Sequence, residues 1–228
     1  MRSVAARPTT EIAGDLASCT LDYQWSNVDG TMRAKRFLGG KVATMQLTGS
    51  RQSPVVYLEL GIVASTPQGN SYDSSVDPTL AFPADSTLPT TPVLFEHLRG
   101  GLTLNNVART NFQSIGISVQ NRLKAYFDES RFANLIRLGG RTTTVTGNSR
   151  LKASPDDRTA YESATTLGSA NTLVFGNGTH TITFTLNAQN YFSSLNESFP
   201  LDEEIYYSWT VQNLLDTAAA EDMHFTYA

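Results

Sequence analysis

The chain has 228 residues, with 17 Lys and Arg against 21 Asp and Glu, a formal charge of −4 and one cysteine. That length supports one domain, or one domain with extensions, and a substantial core. The acidic balance argues against a protein that grips nucleic acid by its phosphates, and a lone Cys19 excludes an internal disulfide framework and fits a reducing compartment.

Charged residues make up only 17% of the sequence. Thr, Ser, Asn and Gln fill the polar positions instead, which suits strands better than helices. The N-terminus has an early arginine but no apolar run of signal-peptide length. No stretch reaches the ~18 consecutive apolar residues of a spanning helix, so no membrane span is expected. The expectation is a soluble protein made in a cytoplasm.

In chain order, residues 1–36 read as an N-terminal arm or edge strand, with a short apolar patch from Leu21 to Trp25. The main domain is expected over residues 37–228. It opens with a hairpin from Lys41 to Val63. Ala43, Met45 and Leu47 alternate with Thr44, Gln46 and Thr48, and Val56, Leu58, Leu60 and Ile62 alternate with Val55, Tyr57 and Glu59. A turn at residues 50–53 places Leu47 opposite Val56 and Met45 opposite Leu58. Both apolar rows then share one side, as a half-buried antiparallel ribbon requires. The other side is a hydroxyl- and amide-rich surface with almost no charge.

Residues 65–92 hold five prolines and many small polar residues, with Tyr72, Val76, Leu80, Phe82 and Leu88 spread along them. A loop of that length is uncommon in a compact domain unless functional or disordered. The apolar side chains favour one that orders against a partner.

Strands resume at Gly101–Leu104. Ile115, Ile117 and Val119 then alternate with Ser114, Gly116 and Ser118. Thr142, Thr144 and Thr146 share one face of the next strand. Glu129–Ile136 is expected to add a helical turn or two. Ser154-Pro155-Asp156-Asp157 reads as a helix start, with a Ser cap, Pro in the first turn and acids at the positive end of the dipole. That helix is expected to run to about Leu167 and stop at Gly168.

Beyond it, a Gly176-Asn177-Gly178 turn joins Leu173–Phe175 to a strand over residues 179–188 carrying His180, Ile182, Phe184 and Leu186. Ile205, Tyr207, Trp209 and Val211 make another apolar row, and Met223–Tyr227 a final strand. The sum is about eight strands and one principal helix. Leu38-Gly39-Gly40-Lys41 and Leu138-Gly139-Gly140-Arg141 echo one another, and together with the surrounding pattern read as two similar hairpin units.

Chemistry is sparse. His97, His180 and His224 form no metal-ligand spacing with each other or with Cys19. Asp202-Glu203-Glu204 is better explained as a solvated lead-in to a strand than as a cation site, because successive strand side chains point apart. The glycine pairs at 39–40 and 100–101 read as tight turns and lack the ending of a phosphate-binding loop. No nucleophile elbow is present. No catalytic, cofactor-binding or metal-binding residue is assigned, and an enzyme is not expected.

The order of parts resembles a known family. GGKVATMQLTGSRQSPVVYLELGIVAS is followed by the Pro-rich loop, then FQSIGISVQNRLKAYF, RLGGRTTTVTGNSRL, a helix beginning SPDDRTAYE, and the hairpin TLVFGNGTHTITFTL. Over roughly residues 37–215 this is similar to the major tail tube proteins of long-tailed bacteriophages. Injection-tube proteins of contractile tails and type VI secretion share that fold.

The resemblance implies an antiparallel β-sandwich or partial barrel with one flanking helix. It implies rings, commonly of six subunits, with a continuous inner β-barrel, stacked into a hollow tube. It also implies residence in the virion tail after assembly in the bacterial host cytoplasm. The implied partners are further copies of the chain, a tape-measure protein, tail terminator and baseplate or tip proteins, and DNA passing without specific binding.

On this reading Thr44, Gln46, Thr48, Glu59, Ser114, Ser118, Thr142 and Thr144 line the lumen, and the apolar residues of the 65–92 loop contact the neighbouring ring. The competing reading is a non-enzymatic binding module, such as a phage decoration or receptor- or carbohydrate-binding domain, with Trp25, Trp209 and the nine tyrosines as stacking platforms, although Trp209 sits on an apolar strand face and is expected in the core.

Overall fold

The computed structural model describes residues 16, 18–26, 28, 32–50, 55–64, 66–68, 96–109, 112–127, 133, 135–150, 155–168, 171–198, 206–214 and 223–228. Among these, the chain forms strands β1 (Cys19–Ser26), β2 (Met32–Ser50), β3 (Tyr57–Val63) and β4 (Thr66–Gln68). Next come β5 (Glu96–Leu104), β6 (Val107–Arg109), β7 (Phe112–Tyr126) and β8 (Leu135–Arg150). Helix α1 (Pro155–Glu162) precedes β9 (Asn171–Gly176), β10 (Thr181–Leu186), β11 (Asn190–Ser198), β12 (Tyr206–Asn213) and β13 (Met223–Tyr227).

Among the described residues the strands make two antiparallel sheets and no closed barrel. One runs β1-β2-β7-β8-β12-β11, with β3 and β4 also paired to β2, and the other runs β13-β10-β9-β5-β6. By internal contact the chain divides into two units. Residues 1–43, 61–92 and 121–140 form one, and residues 44–60, 93–120 and 141–228 form the other.

The second unit is a β-sandwich. Leu47, Ile115, Ile117, Val119, Val145, Trp209 and Val211 of the larger sheet join Leu102, Leu104, Leu173, Phe175, Phe184 and Leu186 of the smaller one in a single buried cluster. Period-2 alternation explains it: each strand sends every second side chain inward. Register does the rest, setting Leu47 opposite Ile117 and Val211 opposite Val145. Trp209 is 1% exposed, so it is core material rather than a surface stacking platform. Its indole lies over Gly147, directly across the ladder, where an added Cβ would come within 2.1 Å of the ring. The indole N–H donates to Ser149 Oγ at 3.1 Å.

In the first unit β1 pairs with β2, Leu21 opposite Phe37 and Trp25 opposite Arg33, and β4 pairs with the same strand from Arg36 to Leu38. The β1–β2 register jumps from Cys19–Gly40 to Leu21–Phe37, so β2 carries an extra residue there. Gly39 sits in that bulge with φ +63°, a left-handed conformation that favours glycine. Gly39 and Gly40 are therefore strand residues at a bulge and not a tight turn. Gly100 and Gly101 likewise lie inside β5, where its register with β9 shifts between Glu96 and Gly101.

Four further expectations change. Helix α1 begins at Pro155 but ends at Glu162, five residues short of Leu167. Ala164 turns left-handed (φ +48°), two β-branched residues follow, and the Leu167 N–H bonds to the Asn190 carbonyl at 2.9 Å, which draws the chain into the core. Leu135 and Ile136 begin β8 rather than a helical turn. Thr66–Gln68 forms a strand inside the segment read as loop.

Strand β11, not anticipated at all, pairs with β12 through a register shift between Phe192 and Ser194 that interrupts its alternation. The cap residue Ser154 and residues 51–53 of the expected turn lie outside the described residues, while Ser50, placed in that turn, is the last residue of β2 and pairs with Ser114.

Candidate functional site

The candidate site is the outer face of the larger sheet within the sandwich unit. The β2–β7 register sets Thr44 opposite Gln120, Gln46 opposite Ser118, Thr48 opposite Gly116 and Ser50 opposite Ser114. A Cβ on Gly116 would lie 3.0 Å from Thr146 Oγ1, which carries the row onto β8. The β8–β12 register then sets Thr146 opposite Thr210 and Thr144 opposite Gln212, and β12 continues to Ser194 of β11.

One cross-strand row thus reads Thr48, Gly116, Thr146, Thr210, Ser194 over five strands. Its immediate neighbours toward the core are Leu47, Ile117, Val145 and Val211. The described side chains of this face are hydroxyls and amides, and none is charged.

Seven of the eight residues expected to share a polar surface are brought together here: Thr44, Gln46, Thr48, Ser114, Ser118, Thr142 and Thr144. Thr44 and Gln46 are exposed and the other five are half-buried. Glu59 is exposed on β3, two residues from Tyr57. Tyr57 and Val55 border a shallow groove of about 430 Å³ on this face, with Thr48, Ser114, Thr146 and Ser208 along it.

The face is wider than the sequence reading made it. Ser208, Thr210 and Gln212 belong to it, and their alternation with Tyr207, Trp209 and Val211 was the available signal. The loop residues Tyr72, Val76, Leu80, Phe82 and Leu88 lie outside the described residues, as do Asp202, Glu203 and Glu204.

At one edge of the face β3 departs from the expected pattern. Leu58, assigned to the buried apolar row, is 53% exposed, and Tyr57 is 60% exposed. Adjacent strand residues point to opposite sides. This stretch of β3 is therefore covered on neither side in the single chain, which lets Leu58 escape burial although Val56 packs against the core.

Behind the face lies a polar cluster that sequence reading missed. Asp157, expected as an acid at the positive end of the helix dipole, lies in the first turn of α1 and is also a buried ion-pair partner, 1% exposed and 2.7 Å from Arg109. Arg109 also donates to the Leu104 carbonyl at 3.3 Å. Burial pushes the Tyr207 phenol above its ordinary value; the Arg109 charge and a hydrogen bond with Ser149 work in the opposite direction, while the Asp157 charge adds to the rise.

A second buried knot joins Asn171 and Asn190. Asn171 accepts from the Asn105 N–H at 2.6 Å, donates to the Gly168 carbonyl at 2.8 Å and to Asn190 Oδ1 at 3.0 Å. These groups satisfy one another and tie loops to strands.

Among the described residues no three His, Cys, Asp or Glu side chains converge. His180, expected at the core boundary of its strand, is half-buried and stacks on Tyr227 at 5.3 Å, while His224 is exposed. The Asn177 side chain accepts from the Thr179 and His180 N–H groups, closing the expected turn. Among the described residues no helix is long and apolar enough to cross a membrane.

No protein-family model matches the chain, and no curated protein matches it in sequence. Among solved structures it is similar to a chain in the virion of a native gene transfer agent particle, with a TM-score of 0.37, 11% identity, and coverage of 55% of this chain and 95% of that one. It is also similar to a chain in the tail of an empty gene transfer agent particle with C6 symmetry, with TM-score 0.38, 13% identity, and coverage of 57% and 95%. A third is the cap that terminates the tube of the anti-feeding prophage, with TM-score 0.47, 14% identity, and coverage of 64% and 100%. Likeness at this level transfers no function.

Proposed function

We propose that this chain is a structural subunit of a phage-type tail tube, polymerising as stacked rings into a hollow conduit through which DNA reaches the host. Six copies per ring is the number implied by the family resemblance. The observation that carries the reading is the charge-free hydroxyl and amide face, five strands wide and backed by a sealed apolar core. A sheet face exposed to bulk water ordinarily carries charge for solubility. A wall that must stay wet yet offer a passing polyanion no fixed cation has reason to be neutral and polar.

The uncovered Tyr57 and Leu58 support the same reading, because a neighbour in a ring would bury an edge that the single chain leaves bare. In such a tube the lumen residues are Thr44, Gln46, Thr48, Glu59, Ser114, Ser118, Thr142 and Thr144. Tape-measure, terminator and baseplate or tip proteins are the heterologous partners, and no catalytic step is assigned.

A second reading, a binding module, is favoured by one detail. The groove at Tyr57 includes Asn148, whose Oδ1 is buried and has no hydrogen-bond partner. Negative-stain microscopy of the purified protein separates the two. Hollow rings or tubes support the conduit; discrete monomers at every concentration and salt tested overturn it.

A further inference from the structure

We propose that Asn177 is a self-modification site gated by its own turn: through a cyclic imide with Gly178 its side chain becomes aspartate or isoaspartate when the turn opens, and the isoaspartate form cannot close the turn again. The proposal is independent of the tube reading.

Asn177-Gly178 is the one Asn-Gly pair in the sequence. The side-chain carbonyl carbon of an asparagine and the next backbone nitrogen can close a five-membered ring, and glycine, having no Cβ, leaves that nitrogen least hindered. The Gly178 nitrogen attacks Asn177 Cγ and a new N–C bond forms. The Cγ–Nδ2 bond breaks, and the proton of the Gly178 N–H leaves with Nδ2 as ammonia. Water then opens the imide. Addition at Cγ gives aspartate; addition at the Asn177 main-chain carbonyl gives isoaspartate, in which the chain runs through the side chain. Solvent reaches the site, since Gly178 and Thr179 are exposed and Asn177 is half-buried.

The closed turn opposes the first step. Gly178 has φ +90°, which suits a tight connection between β9 and β10. The Asn177 N–H donates to the His180 carbonyl at 3.1 Å. Asn177 Oδ1 accepts from the Thr179 N–H at 2.9 Å and from the His180 N–H at 2.6 Å. Cyclisation turns the Asn177 side chain and the Gly178 peptide toward one another, and the three hydrogen bonds anchored on Asn177 resist that rotation.

The two products differ in what they restore. Aspartate keeps the side-chain acceptor, and its charge strengthens both bonds. Isoaspartate puts an extra methylene in the main chain beside the pairs Gly176–Thr181 and Phe175–Ile182, so the turn no longer fits the register. Phe175 and Phe184, 1% and 5% exposed, are buried through that register.

The test ages the full chain at mildly alkaline pH, folded in buffer and unfolded in urea. Peptide mapping by mass spectrometry with enzymatic isoaspartate methylation follows position 177. Modification should be at least about tenfold slower in the folded chain, the factor expected when several hydrogen bonds must open first. Thr179→Pro, which removes one donor to Oδ1, should move the folded rate toward the unfolded one; if that variant does not fold, the comparison of folded and unfolded parent still decides. Aged chain carrying isoaspartate at position 177, isolated by ion exchange, should melt below Asn177→Asp.

A folded rate equal to or above the unfolded rate overturns the gating, and assigns the two N–H groups on Oδ1 to stabilising the charge that develops there during attack. No modification at position 177 in urea, or faster reaction at another asparagine, overturns the site. Equal melting midpoints for the isoaspartate form and Asn177→Asp overturn the claim that the turn stays open.

Discussion

Gly147→Ala tests how the sandwich is built. Gly147 has no left-handed backbone to protect, so replacing glycine would ordinarily gain about 0.4–1 kcal/mol by restricting the unfolded chain. Here the new methyl would lie 2.1, 2.5 and 2.8 Å from three atoms of the Trp209 ring, all far inside contact distance. The indole must move by more than an ångström to relieve these contacts. Overpacking of this kind costs about 1–3 kcal/mol. The displaced ring also loses its bond to Ser149, worth a further ~1 kcal/mol.

A net loss of about 2–3 kcal/mol should lower the melting temperature by roughly 5–10 °C for a chain of this size. Urea unfolding followed by circular dichroism measures it, and the cycle with Trp209→Phe identifies the cause. In the Phe background the methyl has room, so the Gly147→Ala penalty should shrink by about 1 kcal/mol or more. A Gly147→Ala protein within ~0.5 kcal/mol of the parent, or strictly additive double-variant energies, would refute the packing argument.

Three more outcomes are expected. Asp157→Ala strands the Arg109 guanidinium in a buried site and should destabilise the chain by about 3–5 kcal/mol, whereas Arg109→Met with Asp157→Leu should recover most of that in the same urea titration. Tyr207 has a pKa raised by burial above the ordinary 10.0, so the stability it contributes is present below about pH 10 and is lost as pH rises through the higher folded value; Tyr207→Phe should flatten that alkaline slope in stability measured between about pH 9 and 11. Thr44→Lys with Glu59→Lys should fold within ~0.5 kcal/mol of the parent because both side chains are exposed, yet slow DNA ejection from assembled particles at low salt and less so at high salt; normal ejection at low salt counts against the lumen assignment.

What the sequence disclosed follows from the range of the information it holds. Alternation is local: Thr44-Met45-Gln46-Leu47 states which side is wet whether or not its partner strand is known. That is why alternation alone places seven polar residues of three strands on a shared polar side without knowledge of the register. A bulge erases such a signal, because one extra residue reverses the facing of everything beyond it. The Phe192–Ser194 shift concealed β11 in this way, and the Gly39 bulge made a strand look like a turn.

Pairings between distant residues leave no local trace at all. Asp157 two residues inside a helix start has an adequate local explanation as a dipole acid, and only the fold brings it to Arg109, 48 positions away. The two classes of information serve different ends in this chain. Long-range polar pairs such as Arg109–Asp157 and Asn171–Asn190 hold the sandwich rigid from within. The function proposed for it needs only that the outer face stay neutral and wet. That requirement is met one residue at a time, and a neutral polar sheet face is therefore more legible in a single sequence than an active site, whose groups must converge from remote segments.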